Sequence, residues 1–363
     1  MEQKIIILPE RIASLIAAGE VIDRPSAVVK ELVENSIDAN ATEIEVNIKG
    51  KEFISVFDNG EGMSEKDATL SIQKHATSKI SKEEDLNSIT TFGFRGEALH
   101  SISLVSKTTI RTRREQDELG VEIFAEGGKI KHIKKIYMEP GTHVIVKDLF
   151  FNTPARKKFL STDQVEFSYV LDVMTRYALA LPNIGLKLLK DGEVFLNLKP
   201  KRSLEETIKT IFGDTKKDTI EILFQVGNIS IEGIIWREKS GIGKWIFVNK
   251  RYVRDKTVFS AISKFNFLKN SDYIIFLTTP PEMYDVNVNP TKTEIRWRAP
   301  AKIREIVITA IEEAIRHKFP QTIIPHIEQE TFSEPEIKPF EIKKEESLKI
   351  LDEAKAKKPT VKV

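Results

Sequence analysis

Hydrophobic and polar positions follow two different spacings along the first sixty residues. Between residues 26 and 38, apolar side chains recur every three or four positions, which predicts a helix buried along one face: Val29, Leu32, Val33 and Ile37. The polar side chains of that stretch fall on the opposite face: Glu31, Glu34, Asn35 and Asp38. Alternation over residues 44–48 and 53–57 then predicts two strands joined by the turn Lys49-Gly50-Lys51-Glu52.

The same two patterns predict elements along most of the remaining chain. A strand-like arm at residues 4–8 is followed by helical spacing that ends at Gly19. Ser64 and Ser203 are N-cap residues of helices predicted at residues 65–73 and 204–212. Further helices are predicted at residues 98–105, 257–265 and 301–319, and strands at residues 107–113, 121–126, 129–135, 141–146, 219–226, 229–236, 245–248 and 273–277.

The pattern of predicted elements changes after Pro200, and this change divides the chain. The length of 363 residues accommodates about two to three domains, and we place their bounds at residues 1–200 and 201–320. Residues 321–363 are rich in Glu, Lys and Pro and sparse in apolar residues, which is typical of a flexible linker. Mixed helices and strands in both domains predict an α+β protein.

Composition and charge exclude several classes of protein. The formal net charge is +2, so any contact with DNA must come from a local patch and not from a uniformly basic surface. The absence of cysteine excludes disulfides, a thiolate nucleophile and a cysteine zinc site. No apolar run approaches the ~18 residues of a membrane span, and no signal-peptide cleavage site follows the N-terminal run. We therefore expect a cytoplasmic protein without membrane contact.

The first candidate site joins the polar helix face to the end of the second strand. Glu31 and Asn35 stand one helical turn apart, side by side. The strand ends in Asp58-Asn59-Gly60-Glu61-Gly62, where a carboxylate is followed by two glycines that let a ligand approach the backbone. Taken singly, the helix pair is more often a solvated face and Asp-Asn-Gly is a common turn. Together they predict a polar helix face opposite an acidic, glycine-bearing loop.

Phosphate-binding chemistry is concentrated in two later stretches. Thr77, Ser78 and Lys79 offer hydroxyl and ammonium donors in a loop. Phe92-Gly93-Phe94-Arg95-Gly96-Glu97-Ala98-Leu99 places two glycines just ahead of a predicted helix, where backbone N–H groups can cradle an anion. Gly127-Gly128-Lys129 is a hairpin turn instead, because the Gly-x-x-x-x-Gly-Lys-Ser/Thr spacing of a Walker loop is missing.

These motifs carry a family resemblance. Glu31-x-x-x-Asn35 followed by Asp58-x-Gly60-x-Gly62 resembles the first motifs of the ATPase superfamily of DNA gyrase, heat-shock chaperones, histidine kinases and MutL. Three further stretches look like MutL itself: Ile16-Ala17-Ala18-Gly19-Glu20-Val21, Gly93-Phe94-Arg95-Gly96-Glu97-Ala98-Leu99 and the segment from Asp148 to Leu160. The resemblance covers residues 1 to about 320. It implies an α/β sandwich ATPase domain, with a mixed sheet and helices on one face, followed by an α+β domain resembling a small-subunit ribosomal protein.

The resemblance also implies a role for each matching residue. Glu31 would be the general base and Asn35 would hold Mg²⁺, while Lys292 of Asn289-Pro290-Thr291-Lys292 would reach the γ-phosphate of ATP. Asp58 would accept a hydrogen bond from the adenine amine, with support from Thr142. The other ATP-binding residues would line the base, the sugar and the phosphates: Gly60, Gly62, Met63, Thr77, Ser78, Lys79, Gly93, Phe94, Arg95, Gly96, Glu97, Ala98 and Leu99.

A basic cluster adds a candidate DNA contact. Asn249-Lys250-Arg251-Tyr252-Val253-Arg254-Asp255-Lys256 groups four cations around a tyrosine. Beside an ATPase of DNA repair, this cluster predicts sequence-independent phosphate contacts by Arg251, Arg254 and Lys256, although such a run is usually a solvated face. The run Arg156-Lys157-Lys158 also has two interpretations, a basic rim or a solvated helix start.

The function implied by the resemblance is an ATP-gated clamp of DNA mismatch repair. It would form a homodimer on ATP binding and meet the mismatch-recognition protein MutS and downstream nicking and helicase proteins. The Asp-Gln-His-Ala-type metal motif of nicking MutL proteins is absent from the sequence, so we predict no endonuclease activity. Two alternatives are a related ATPase, such as a topoisomerase subunit or chaperone, and a non-hydrolysing DNA-binding module. The Phe94-Arg95-Gly96-Glu97 signature and the Asn289-Pro290-Thr291-Lys292 element argue against the first.

Overall fold

Two β-sheets backed by helices make up the described part of the chain. The computed structural model describes residues 7–79, 91–93, 96–215, 218–285 and 293–319, and its mixed helices and strands confirm the predicted α+β class. Phe94, Arg95, Lys292 and the predicted linker at residues 321–363 lie outside the described residues. So does most of the predicted N-terminal arm, whose described residues Ile7 and Leu8 do not form a strand.

The N-terminal part contains an eight-stranded sheet. Its helices are α1 (Glu10–Val21), α2 (Pro25–Asp38), α3 (Glu65–Leu70), α4 (Ala98–Leu104), α5 (Pro154–Phe159) and α6 (Asp163–Ala180). Its strands are β1 (Glu43–Lys49), β2 (Phe53–Asp58), β3 (Lys107–Arg113), β4 (Gly120–Glu126), β5 (Lys129–Ile136), β6 (Gly141–Lys147), β7 (Gly185–Lys190) and β8 (Glu193–Leu198). The strand order is β5-β4-β3-β6-β2-β1-β7-β8, and β1 and β7 form a parallel pair among antiparallel neighbours.

The C-terminal part contains a five-stranded sheet in the order β12-β11-β13-β10-β9. Its helices are α8 (Lys256–Ser263) and α9 (Pro300–Lys318), while α7 (Leu204–Phe212) packs against α6 and β8 in the core of the N-terminal part. Its strands are β9 (Thr219–Val226), β10 (Ile229–Trp236), β11 (Lys244–Val248), β12 (Arg251–Tyr252) and β13 (Asp272–Thr278), beside a short pair of β14 (Tyr284–Asp285) and β15 (Arg296–Trp297).

The five-stranded sheet packs against helices on one face and, through part of its other face, against the N-terminal part, while Leu223 on β9 is exposed. One face packs with α8 and α9 in a core that includes Ile246, Ile275 and Ile311. From the other face, Trp245 and Phe247 join the hydrophobic core of the N-terminal part. Because apolar side chains fill this boundary, the two parts share one continuous packing surface.

Local sequence signals account for several element ends. The Ser64 hydroxyl accepts from the Asp67 amide, and Ser203 and Glu206 form a reciprocal capping box, as predicted. The predicted helix at residues 65–73 is too long, because the structure ends α3 at Leu70. The Ser71 hydroxyl there donates to the Ala68 carbonyl and competes with continued helix.

The prediction that Gly19 ends the first helix is wrong. Helix α1 continues to Val21, and the Arg156 guanidinium fills the space that a Cβ at Gly19 would need. This glycine therefore serves close packing with α5 and does not terminate the helix. None of the helices in the described residues is long and apolar enough to cross a membrane.

Candidate nucleotide-binding site

Helix α2 carries the first set of candidate residues. Pro25 occupies its first turn, where the missing N–H costs nothing, and the helix ends at Asp38. Glu31, Asn35 and Asp38 recur at helical spacing and are partly exposed along one face. Helix α2 packs on β1 and β2, and Ser36 on its buried face contacts Asp58 at the end of β2.

A lysine ammonium lies between two side chains of α2. Lys79 Nζ is 2.9 Å from Asn35 Oδ1 and 2.6 Å from Asp38 Oδ2. The Asp38 carboxylate also accepts the backbone N–H groups of Phe92 and Gly93, both at 2.9 Å. The structure therefore brings Asn35, Lys79 and Gly93 together, and Asp38 holds the two loops in place. The sequence pattern predicted Asp38 on this face, but its contacts with the two loops were not predicted.

The same oxygens form a cation-binding position. A positive group already contacts Asn35 Oδ1 and Asp38 Oδ2, so an amide oxygen and a carboxylate oxygen converge on one point. Magnesium prefers such hard oxygen ligands and retains waters and phosphate oxygens for the rest of its coordination. The donor set at Asn35 thus fits the predicted metal.

Asp58 lies buried at the C-terminal end of β2. Ser36 on α2 donates to Oδ2 at 2.7 Å, and the Gly60 amide donates to Oδ1 at 2.9 Å. Burial raises the pKa of the Asp58 carboxyl above its usual range, while hydrogen bonds from Ser36, Gly60 and the Thr142 backbone oppose that rise. The role of Ser36 was not predicted, and its signal in the sequence is a hydroxyl on the otherwise apolar face of α2.

Two threonines connect this carboxylate to the loop after β2. Thr142 lies directly opposite Asp58 in the β2–β6 ladder, and its hydroxyl is 3.0 Å from that of Thr112. Thr112 in turn accepts the Met63 amide at 2.8 Å. Gly62 has φ +67° and sits against the Arg113 carbonyl, where a side chain would clash. Asp58, Gly60, Gly62, Met63 and Thr142 therefore form one continuous wall.

The described residues of the glycine-rich loop lie beside residues 75–77. Gly96 has φ +63° and lies against Ala76 and Thr77, so a Cβ there would meet the Ala76 carbonyl. Glu97 pairs with His75 at 3.3 Å and precedes α4, which begins with Ala98 and Leu99. Ser78 is exposed beside them.

A buried charge network stands behind Glu31. Lys30 Nζ is 2.8 Å from Glu31 Oε1 and 3.2 Å from Glu34 Oε1, and the Tyr177 hydroxyl donates to Glu34 at 3.0 Å. Burial raises the pKa of Tyr177 well above its usual value, so the hydroxyl stays protonated. Burial acts to lower the pKa of Lys30, but Glu34 and Glu31 together raise it. Lys30 thus holds the Glu31 carboxylate in place.

The three predicted DNA-binding residues are not equivalent in the structure. Arg251 on β12 donates to the Thr91 and Phe92 carbonyl oxygens at 3.1 and 3.3 Å. Arg254 and Lys256 are exposed on either side of Asp255, the N-cap of α8. Lys292 lies outside the described residues, but the following residue, Thr293, lines a cavity of about 30 Å³ together with Lys30, Glu34 and Arg251.

Comparisons with known proteins agree with this geometry. Residues 24–142 match the family model described as histidine kinase-, DNA gyrase B- and HSP90-like ATPase. Residues 208–316 match the model described as DNA mismatch repair protein, C-terminal domain. The solved structure named Aquifex aeolicus MutL ATPase domain complexed with ADP is 32% identical, with a TM-score of 0.57. The match covers 79% of this chain and 98% of that one. The chain belongs to the MutL family of DNA mismatch repair proteins.

Other relatives support the same assignment. A solved structure named N terminal domain of a DNA repair protein is 26% identical with a TM-score of 0.69, covering 85% of this chain and 99% of that one. The MutL of Syntrophotalea carbinolica is 39% identical over 92% of this chain and 55% of its own length. That of Clostridium acetobutylicum is 39% identical over 94% and 56%. This MutL-family chain therefore spans about half the length of these curated relatives, and the family match favours MutL over the topoisomerase and chaperone alternatives.

Proposed function

We propose that this MutL-family chain binds ATP with Mg²⁺ and hydrolyses the ATP to ADP and phosphate. The observation that carries the proposal is the arrangement of two chemistries on one helix. Ser36 of α2 holds the buried Asp58 carboxylate, and Asn35, the neighbouring residue, contacts the Lys79 ammonium together with Asp38. This arrangement supports an acceptor for a base and a position for a metal on the same helix.

The wall around Asp58 would bind the adenosine. Asp58 would accept a hydrogen bond from the exocyclic amine of adenine, because its buried carboxylate is held in place by Ser36 and the Gly60 amide. Gly60, Gly62 and Met63 line the base and sugar, and Thr142 supports Asp58 through the β2–β6 ladder. A site that accepts a hydrogen bond from a substrate amine strongly rejects an analogue without that amine. Asp58 would therefore favour adenine, which has an exocyclic amine at this position, over guanine, which has a carbonyl there.

The loops around Lys79 and Gly93 would bind the phosphates. Thr77, Ser78 and Lys79 would supply hydroxyl and ammonium donors. The loop of residues 93–99 would supply backbone N–H donors other than that of Gly93, which donates to Asp38. Asn35 would hold Mg²⁺, which neutralises phosphate charge when bound. Glu31 acts as the general base that polarises the attacking water, with Lys30 orienting its carboxylate.

An ATP-hydrolysis assay with and without Mg²⁺ tests this function. We expect Mg²⁺-dependent release of phosphate from the wild-type chain, and we expect Asn35→Ala to lose Mg²⁺-dependent ATP binding because it removes the amide oxygen. Isothermal titration calorimetry measures the binding. The control is Asn183→Ala, an exposed asparagine in the turn between α6 and β7. Equal ATP affinity of wild type and Asn35→Ala in Mg²⁺ would contradict the metal assignment.

We also propose that ATP binding joins two copies through the N-terminal part. Apolar side chains near the N-terminus are exposed, Ile7 by 97% and Ile16 by 49%, which suits a partner surface. Sedimentation with a non-hydrolysable ATP analogue should show a dimer, and deletion of residues 1–8 should abolish it. A monomer that keeps the analogue bound would refute this part of the proposal.

Sequence-independent DNA binding is the next part of the proposal. It rests on Arg251, Arg254 and Lys256, of which the latter two are exposed. We expect affinity for duplex DNA to fall steeply with salt, and the charge reversals Arg254→Glu and Lys256→Glu to reduce the log–log slope by about 1 each. Fluorescence anisotropy across a salt series measures the slope. Lys129→Glu with Lys199→Glu, two other exposed lysines, is the matched control; salt-insensitive wild-type binding would exclude phosphate contacts.

In this proposal the chain is an ATP-gated switch of mismatch repair in the cytoplasm. It would communicate with the mismatch-recognition protein MutS and with downstream nicking and helicase proteins, since these are the partners that the family resemblance implies. We also infer that residues 201–320 form a separate domain with a fold like that of a small-subunit ribosomal protein, supported by their own five-stranded sheet with α8 and α9. Limited proteolysis should cut the chain near residue 200 if this division is correct.

A further inference from the structure

Arg251 reaches from the C-terminal part into the loop that carries Gly93. Its Nη2 donates to the Thr91 carbonyl at 3.1 Å and to the Phe92 carbonyl at 3.3 Å. Its guanidinium carbon also lies 5.1 Å from the centroid of the Phe92 ring. One side chain thereby contacts two successive peptide groups and the ring between them, a combination suited to the planar guanidinium.

The same short segment is held from the opposite side by α2. The backbone N–H groups of Phe92 and Gly93 donate to the two Asp38 oxygens, each at 2.9 Å. Asp38 therefore binds the N–H groups and Arg251 binds the carbonyl groups of one stretch of backbone. A loop held by two charged side chains from two parts of the fold is far less free to move than one held by either alone.

The segment also touches the residues behind Glu31. The Phe92 ring packs edge-on against Tyr177, with the ring centroids 6.1 Å apart. The Tyr177 hydroxyl donates to Glu34, which shares Lys30 with Glu31. All of these residues except Glu31 line the same small cavity as Arg251, and the cavity has room for about one water molecule. A displacement of Phe92 would therefore reach the proposed general base.

We propose that Arg251 is a positioning residue of the ATPase site, which couples the C-terminal part to nucleotide binding by fixing the segment Thr91 to Gly93. The inference rests on the proposed ATPase function and assigns Arg251 a role other than DNA contact. Its charge is directed at backbone carbonyl oxygens of the N-terminal part, 160 residues away in sequence. Asp38 and Arg251 then hold the segment next to Lys79 only while the two parts stay docked.

Hydrogen exchange on the whole chain without nucleotide tests the clamp directly. We expect Arg251→Ala and Arg251→Lys to accelerate exchange of the Phe92 and Gly93 amides about tenfold or more, because each loses carbonyl contacts made through the planar fork. Amides of β13 serve as the internal reference and should not change. Arg316→Ala and Arg316→Lys, at an exposed arginine of α9, are the matched controls.

ATP affinity, measured by calorimetry on the same variants, gives the functional readout. We expect about tenfold weaker ATP binding for Arg251→Ala and Arg251→Lys, with an unchanged melting temperature for Arg251→Lys. A role through charge alone would be rescued by lysine, so wild-type exchange and affinity in Arg251→Lys would overturn the proposal. If Arg251→Ala does not fold, Arg251→Lys decides the question by itself. Failure of the wild-type chain to bind ATP would instead refute the ATPase function, while the exchange result still decides whether Arg251 fixes the loop.

Discussion

We expect Glu31→Ala to lower ATP turnover by about 10²–10⁴-fold, the usual loss when a general base is removed. ATP binding should be retained. Glu31 stands one turn before Asn35 on α2, so the base and the proposed metal position are fixed by the same helix. Its side chain is 13% exposed, which leaves the carboxylate accessible to a water molecule. Asp58 and the adenine wall are unaffected by the substitution, and therefore binding persists.

Glu31→Gln sharpens the test because it keeps the shape of the side chain and removes its basicity. We expect its turnover to fall as far as that of Glu31→Ala, with ATP affinity close to wild type. Single-turnover phosphate release and equilibrium binding are measured separately. Glu305→Gln, at an exposed glutamate of α9, is the matched control. Wild-type turnover in Glu31→Gln would show that another group activates the water.

Lys292→Ala should lower ATP turnover by about 10²–10³-fold and leave ADP affinity nearly unchanged. The ammonium of Lys292 would offset charge that develops on the γ-phosphate in the transition state, and ADP lacks that phosphate. The neighbouring residue Thr293 is held within the C-terminal part, where its carbonyl accepts the Arg254 amide at 2.7 Å. Thr293 also lines the small cavity that contains Lys30 and Glu34. Residue 293 is thus already at the boundary with the N-terminal part.

The two nucleotides provide the discriminating comparison for Lys292. Turnover is measured with saturating ATP and Mg²⁺, and ADP affinity by calorimetry under the same conditions. Lys302→Ala, at an exposed lysine of α9, is the control for loss of a positive charge. If ADP binding weakens as much as ATP turnover falls, the lysine supports the fold or the adenine pocket, and the γ-phosphate contact is refuted.

Elements with a clean local period were predictable from the sequence. Helix α2 and strands β9 and β10 were predicted within one residue, because each has one buried face and recognisable end signals. Helix α6 was missed. Its buried residues surround much of its circumference, since it packs against α2, the sheet and the C-terminal part, so no amphipathic period stands out.

Long-range contacts limited how much of the candidate site could be predicted from the sequence. Helical spacing puts Glu34 on the polar face of α2, but in the structure its side chain is only 3% exposed. It is covered by Tyr177, which is 143 residues further along the chain. Arg251 likewise reads as a solvated cation until its partners at residues 91 and 92 are known. Helical spacing fixed which α2 side chains share a face, while their partners depended on tertiary packing.

The parallel pairing of β1 with β7 has a consequence for the order of folding during synthesis. Glu45 on β1 lies opposite Lys187 on β7, 142 residues later in the chain. At about 5–20 residues per second, the ribosome needs roughly 7–28 s to supply that partner strand. Until then the hydrogen-bonding edge of β1 is open, and an unpaired edge next to an apolar face favours association between nascent chains. Strands of such high contact order form late, so β1, on which α2 packs, obtains its second partner strand only after β7 has emerged.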